Sequence, residues 1–131
     1  DPMDACFSNL RTLFTGAAAY SYDQVELAQY SVRCDRLAQR LHHAMPGRML
    51  DIAYEDLVAR TEATARRVFE FCGLPFAPEA LAIERNSSAV STASAATVRA
   101  GILQNRDGAW KPYARQLRRM REALETPQTD S

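Results

Sequence analysis

The chain has 131 residues, of which 47% are hydrophobic and 24% charged, and its 16 basic side chains balance 16 acidic ones. This composition suits one ordinary domain with a buried core, and the zero net charge gives no reason to expect a nucleic-acid partner. No apolar run approaches the roughly 20 residues of a membrane span and no signal-peptide pattern is present, so we expect no membrane partner.

The first predicted element is a helix at the start of the chain. Asp1 suits its cap and Pro2 its first helical position. Apolar residues recur along one face before Thr15-Gly16 ends the pattern: Met3, Phe7, Leu10 and Phe14. Because Asp1 suits a helix cap and is not an initiator Met, we expect further residues upstream of it.

The longest predicted helix spans residues 22–44. Its apolar residues form a continuous stripe: Leu27, Tyr30, Cys34, Leu37, Leu41 and Ala44. About three heptads bounded by Pro46-Gly47 favour a long helix of a globular domain over a coiled coil.

Residues 48–54 are the only segment that predicts a good strand. Leu50, Ile52 and Tyr54 would share one of its faces. One strand cannot satisfy its backbone hydrogen bonds alone, so we expect partner strands outside this chain. Flanking helices favour a parallel sheet.

The remaining elements are short. We expect a turn or helix at 55–60, a helix capped by Thr61 and stopped by Gly73, and a short helix at 78–84. Loops are expected at 86–96 and 101–108. A final helix should run from Pro112 to about Glu125, followed by a disordered tail at 126–131.

The three cysteines are far apart and odd in number: Cys6, Cys34 and Cys72. Each lies among apolar residues at helical spacing, and none has the Cys or His spacing of a zinc site. The pattern predicts buried free thiols in a reducing cytoplasm, and no metal site.

Four short strings accompany this order of elements. They are Asp1-Pro2-Met3-Asp4-Ala5-Cys6-Phe7-Ser8, Leu50-Asp51-Ile52-Ala53-Tyr54-Glu55-Asp56-Leu57, Ser91-Thr92-Ala93-Ser94-Ala95-Ala96-Thr97-Val98-Arg99 and Gly108-Ala109-Trp110-Lys111-Pro112-Tyr113. Together they resemble the sulfotransferases that use 3′-phosphoadenosine 5′-phosphosulfate (PAPS), most closely the bacterial members. The resemblance implies an α/β fold with a P-loop-like parallel sheet. Residues 1–125 would then be the mostly helical carboxy-terminal half of a single domain, with about one strand.

The resemblance also implies cofactor contacts. Ser8 would hold the 3′-phosphate of PAPS with an Arg that precedes Asp1. Tyr54 would contact the adenine, although a core Tyr at a strand end is the alternative. Ser94, with Thr92 as fallback, would reach the phosphate or adenine, or else cap a short helix, whose exposed N–H groups also bind phosphate.

The fourth string closes over the cofactor in related proteins. Trp110 is expected to pack the final helix against the sheet. The Arg-Lys-Gly phosphate clamp of cytosolic members is replaced here by Leu103-Gln104-Asn105, and the basic residue that precedes the Trp in other branches is replaced by Ala109. Arg106 or Lys111 could supply the charge instead.

The activity implied is sulfuryl transfer from PAPS to an acceptor hydroxyl or amine. No Gly-rich phosphate loop occurs in the chain, and His42-His43 suit a helix end better than catalysis, so we assign no catalytic residue. We expect the segment to bind PAPS or its product PAP weakly, and to turn over nothing without the amino-terminal half of the same domain.

Other functions stay open at this point. A helical protein-interaction module without catalytic activity would ignore PAPS. Nucleic-acid binding rests only on the basic final helix, with Arg118, Arg119 and Arg121, and is disfavoured by the zero net charge. A nucleotide kinase of related fold is a third alternative.

Overall fold

The computed structural model describes residues 1–12, 14, 16, 18–82 and 108–126, and these are mostly helical. The α-helices of these ranges are α1 (Pro2–Leu10), α2 (Gln24–Ala44), α3 (Tyr54–Ala59), α4 (Thr61–Phe71) and α5 (Arg118–Glu125). Short 3₁₀ helices lie at Ala19–Tyr22, Pro78–Leu81 and Lys111–Tyr113. The described residues divide into two compact units, one containing α1, α2 and α5 and the other containing α3 and α4.

Helix α1 begins as the sequence predicts and ends earlier. Asp1 caps it, and Pro2 occupies its first position. It stops at Leu10, short of Phe14. Near its end, the side chains of Asn9 and Thr12 donate 2.9 Å hydrogen bonds to carbonyls one turn back. Such local bonds compete with continued helix, which accounts for the earlier stop.

Helix α2 starts after Asp23, whose Oδ1 accepts from the N–H groups of Glu26 and Val25 at 3.0 and 2.8 Å. These two bonds lower the pKa of the Asp23 carboxyl. The predicted apolar stripe is only partly buried. Leu27 is 3% exposed, whereas Leu37, ten residues later, is 57% exposed.

The core of the first unit joins α1, α2 and the end of the chain. Its buried apolar residues are Met3, Cys6, Phe7, Leu27, Ala28, Leu117 and Met120. Gln24 supports this packing, since its Nε2 donates to the Gln116 carbonyl at 3.1 Å and its Oε1 accepts from Met120 N at 3.3 Å. The final helix therefore begins at Arg118, not at Pro112 as expected.

The predicted strand and sheet are wrong. Residues 49–53 form no regular secondary structure, and α3 begins at Tyr54, within the predicted strand. No strand occurs in the ranges that the structure describes. A short apolar run with alternating residues fits the pattern of a β-strand. A segment becomes a strand, however, only when its backbone hydrogen-bonds to a neighbouring strand. Here the backbone continues into a helix instead. The α/β, P-loop-like parallel-sheet fold is therefore replaced by a mostly helical structure.

In the second unit, α3 and α4 are held by threonine hydroxyls. Thr64 is 3% exposed and donates to the Asp56 carbonyl at 3.0 Å. Thr61 does not cap α4 as predicted, because its hydroxyl donates back to the Leu57 carbonyl at 2.8 Å. Gly73 follows the end of α4 with φ +68°, which agrees with its predicted role as the stop.

Candidate functional site

The candidate site is built on α1 and on the segment that starts at Gly108. Asp1 serves both parts. Its Oδ1 accepts from the N–H of Met3 at 2.8 Å and so caps α1, while its Oδ2 accepts from the indole N–H of Trp110 at 3.4 Å. The long second bond is the weaker of the two. The cap thus fixes the start of α1 and ties it to the Gly108 segment.

Asp4 makes the shorter link between these segments. Its Oδ2 accepts from the backbone N–H of Gly108 at 2.8 Å. Its Oδ1 is buried and has no hydrogen-bond partner among the residues that the structure describes. A buried carboxylate oxygen without a partner is unfavourable, so the carboxylate holds Gly108 while leaving its second oxygen unsatisfied.

Aromatic packing reinforces the link. The rings of Phe7 and Tyr113 lie 5.3 Å apart between centroids and are tilted by 34°. Trp110 is half-buried and packs against the apolar core of the first unit. The predicted core role of Trp110 is therefore confirmed, although it packs on this helical core and not on a sheet.

Lys111 lies against Gly108. A Cβ added to Gly108 would meet the Cε and Nζ of Lys111 at 2.7 and 2.9 Å, and Gly108 has φ +74°. The left-handed backbone favours glycine here, whereas the close contact involves only the far end of the flexible lysine side chain, which can move aside. The Lys111 residue is exposed, and its ammonium makes no ion pair within the described ranges.

Ser8 lies one helical turn beyond Asp4 on α1. It is exposed, and in the part of the chain described by the structure its hydroxyl has no hydrogen-bond partner. The structure therefore joins the helix that bears Ser8 to the segment that bears Lys111, through the Asp4–Gly108 bond and the Phe7–Tyr113 contact.

The other predicted site residues lie in the second unit or outside the described residues. Tyr54 is the first residue of α3, in the second unit, and is 53% exposed. Ser94 and Arg106 lie outside the described residues, as do the predicted loop at 86–96, all but Gly108 of the predicted loop at 101–108, and most of the predicted tail.

Two residues of this group could not be, or were not, predicted from the sequence. Asp4 lies in the first turn of α1, and no local signal links it to Gly108. Arg11 was not considered, although it follows Ser8 by three residues and Phe7 by four, and its guanidinium carbon lies 5.3 Å from the centroid of the Phe7 ring. Helical spacing could have placed Arg11 beside both.

The three thiols differ in exposure. Cys6 is 2% exposed, and this burial raises the pKa of its thiol. The hydrogen bond to Ser31 lowers that pKa in part, and the negative charge of Asp35 raises it by a smaller amount. Cys34 and Cys72 are exposed, and all three are free thiols. The predicted burial is correct for Cys6 and wrong for the other two.

The described residues hold no group of three or more His, Cys, Asp or Glu side chains that could bind a metal ion. None of the described helices combines the length and apolarity needed to cross a membrane. An open cavity of about 550 Å³ runs along α2, lined by Arg36, Gln39, Arg40 and His43.

Comparison with known proteins gives two matches. The family model described as the sulfotransferase family matches residues 1–78. An uncharacterized protein of Aquifex aeolicus (strain VF5) is 25% identical over 126 residues, which cover 94% of this chain and 17% of that protein. The chain thus spans less than a fifth of the length of this relative. No solved structure matches the chain significantly.

Proposed function

This chain belongs to the sulfotransferase family, and we propose that it takes part in sulfuryl transfer from PAPS by binding the 3′-phosphate and adenine side of this donor. PAPS supplies the activated sulfuryl group, which passes to an acceptor hydroxyl or amine. The chain's own task is to hold and orient the nucleotide, because in-line group transfer depends on positioning and on charge stabilisation.

The observation that carries the proposal is the link between the helix that bears Ser8 and the segment that bears Lys111. Both residues are exposed, and they stand on two segments that the Asp4–Gly108 hydrogen bond holds together at 2.8 Å. A hydroxyl and an ammonium are suitable donors to a phosphate, and Gly108 has no side chain that could block its approach. These residues fit a phosphate group.

The same surroundings predict weak binding. Asp1 and Asp4 place two carboxylates on the first turn of α1, and their charge opposes that of a phosphate. We expect a dissociation constant on the order of 1 mM, equivalent to about −4 kcal/mol.

For the nucleoside, we propose Tyr54 as the adenine contact, since it is aromatic and 53% exposed. Ser94 and Arg106 are proposed as further contacts on the strength of the family resemblance. We assign no catalytic base to this chain, and we expect no turnover from the 131 residues by themselves.

The proposal is tested by calorimetric titration of PAP, the product nucleotide, into the chain. We expect weak saturable binding, and a loss of roughly three- to tenfold in affinity for Ser8→Ala, which removes one hydrogen-bond donor. Asn9→Ala is the matched control, because Asn9 is the exposed neighbour on α1 and points about 100° away. Equal PAP affinity in all three proteins would contradict the assignment of Ser8.

A helical interaction module is the second candidate. It is favoured by the exposed part of the α2 stripe, in which Tyr30 is 44% and Leu37 is 57% exposed. This alternative predicts no PAP binding at all, so the same titration separates the two functions.

A further inference from the structure

Arg11 stands directly beyond α1 and three residues after Ser8. Residues at this spacing lie on the same side of a helix. Arg11 is exposed, and its guanidinium carbon lies 5.3 Å from the centroid of the Phe7 ring. This distance is typical of a cation–π contact, which restrains the guanidinium near the helix.

The ring that restrains Arg11 is itself fixed. Phe7 is 6% exposed, and its ring lies 5.3 Å from that of Tyr113. Tyr113 ends the 3₁₀ helix that begins at Lys111. The guanidinium is therefore held at the junction of α1 with the Lys111 segment.

The charge of Arg11 is not neutralised within the described residues. Three other arginines on helices or at a helix end have an acidic partner four residues away, in the pairs Arg60–Asp56, Arg66–Glu62 and Arg118–Glu122. Arg11 has Phe7 at the corresponding position, and no acidic group of the described ranges pairs with it. A restrained cation without a carboxylate partner is suited to an external anion.

We infer that Arg11 binds the same phosphate as Ser8, which in the proposed function is the 3′-phosphate of PAPS. The inference rests on that function. A planar guanidinium offers two parallel N–H donors to a phosphate, and the Ser8 hydroxyl adds a neutral donor from the preceding turn. Arg11 thereby supplies a cation to a chain in which Leu103-Gln104-Asn105 replace the phosphate clamp of related proteins.

The test compares PAP with adenosine 5′-monophosphate, which lacks the 3′-phosphate, as ligands of the full 131-residue chain. Arg11→Ala should lower PAP affinity roughly tenfold, or about 1.4 kcal/mol, and leave monophosphate affinity unchanged. The PAP affinity of Arg11→Lys should lie between those of the unaltered chain and of Arg11→Ala, because lysine keeps the positive charge but lacks the planar guanidinium with its two parallel donors. Arg66→Ala is the matched control, since that guanidinium also lies over a ring, Phe76 at 4.1 Å, but is paired with Glu62.

The outcomes separate this inference from the proposed function. If the unaltered chain prefers PAP over the monophosphate and Arg11→Ala keeps the full preference, the role of Arg11 is overturned and the proposed function stands. If the unaltered chain shows no PAP binding, or no preference for PAP, the proposed function fails and the role of Arg11 fails with it. Circular dichroism of each variant verifies that the helices persist.

Discussion

The backbone N–H of Gly108 donates a 2.8 Å hydrogen bond to Oδ2 of Asp4, across 104 positions of the sequence. This bond ties the first turn of α1 to the segment that carries Trp110 and Lys111. The geometry of the candidate phosphate site therefore depends in part on this carboxylate, beside the Asp1–Trp110 bond and the Phe7–Tyr113 contact.

Replacement of Asp4 should loosen this link. We expect Asp4→Ala to lower the free energy of unfolding by about 1–3 kcal/mol, because the Gly108 N–H loses its acceptor. Asp4→Asn should lower the free energy of unfolding by less, since the amide keeps one carbonyl oxygen that can accept from the Gly108 N–H. Urea unfolding of the three proteins measures the difference, and identical midpoints would show that the bond contributes nothing to stability.

Gly108→Ala and Gly73→Ala should destabilise the chain by similar amounts. Both glycines have positive φ, so each alanine carries a backbone cost of roughly 1–3 kcal/mol. At Gly73 nothing lies within 4 Å of an added Cβ, whereas at Gly108 that carbon meets the Lys111 chain at 2.7 Å. The contact is with the far end of a flexible side chain, so thermal unfolding should show similar decreases for the two variants. A clearly larger decrease for Gly108→Ala would show that the Lys111 chain cannot move aside.

The thiols should react in two classes. Cys34 and Cys72 are exposed and should react quickly with a disulfide reagent, while Cys6 should react slowly because it is buried and its pKa is raised. Mass spectrometry of the labelled peptides identifies each site. Rapid labelling of Cys6 would indicate that the α1–α2 packing opens readily.

Tyr30 should resist ionisation. Its ring stacks on Tyr20 at 4.0 Å, and the hydrogen bond to Tyr20, followed by that to the Cys34 thiol, raises the pKa of Tyr30 from 10.0 to about 12. The folded state thus favours the protonated phenol, so its contribution to stability is complete below pH 10 and is lost as the pH rises towards 12. Tyrosinate absorbance should lose its latest-titrating component in Tyr30→Phe, and an unchanged curve would contradict this assignment.

Local signals in the sequence predicted some of the helix boundaries. Asp1 and Pro2 mark the start of α1, and Gly73 marks the end of α4, because caps and stops depend on neighbouring residues. The prediction of a strand at 48–54 was wrong, because a pattern of alternating apolar residues does not reveal whether a partner strand is present. The predicted burial of Cys34 was also wrong, since the periodicity of apolar residues identifies one face of a helix but does not show whether other residues cover that face.

The candidate site was predicted in part. The resemblance implied Ser8, and it left Arg106 or Lys111 as the source of the positive charge; the structure joins the segments that bear Ser8 and Lys111. The link through Asp4 could not be predicted, because a carboxylate in a first helical turn has an obvious local role and no sequence feature connects it to Gly108. The cofactor role of Ser8, Tyr54, Ser94, Arg106 and Lys111 stays a prediction.

The most direct test of nucleotide binding is a nuclear magnetic resonance titration of the isotope-labelled chain with PAP. We expect saturable amide shifts at Ser8, at Arg11 and along the Gly108–Tyr113 segment, with weaker shifts when adenosine 5′-monophosphate is used. An absence of shifts at these positions, or shifts confined to the exposed stripe of α2, would contradict it.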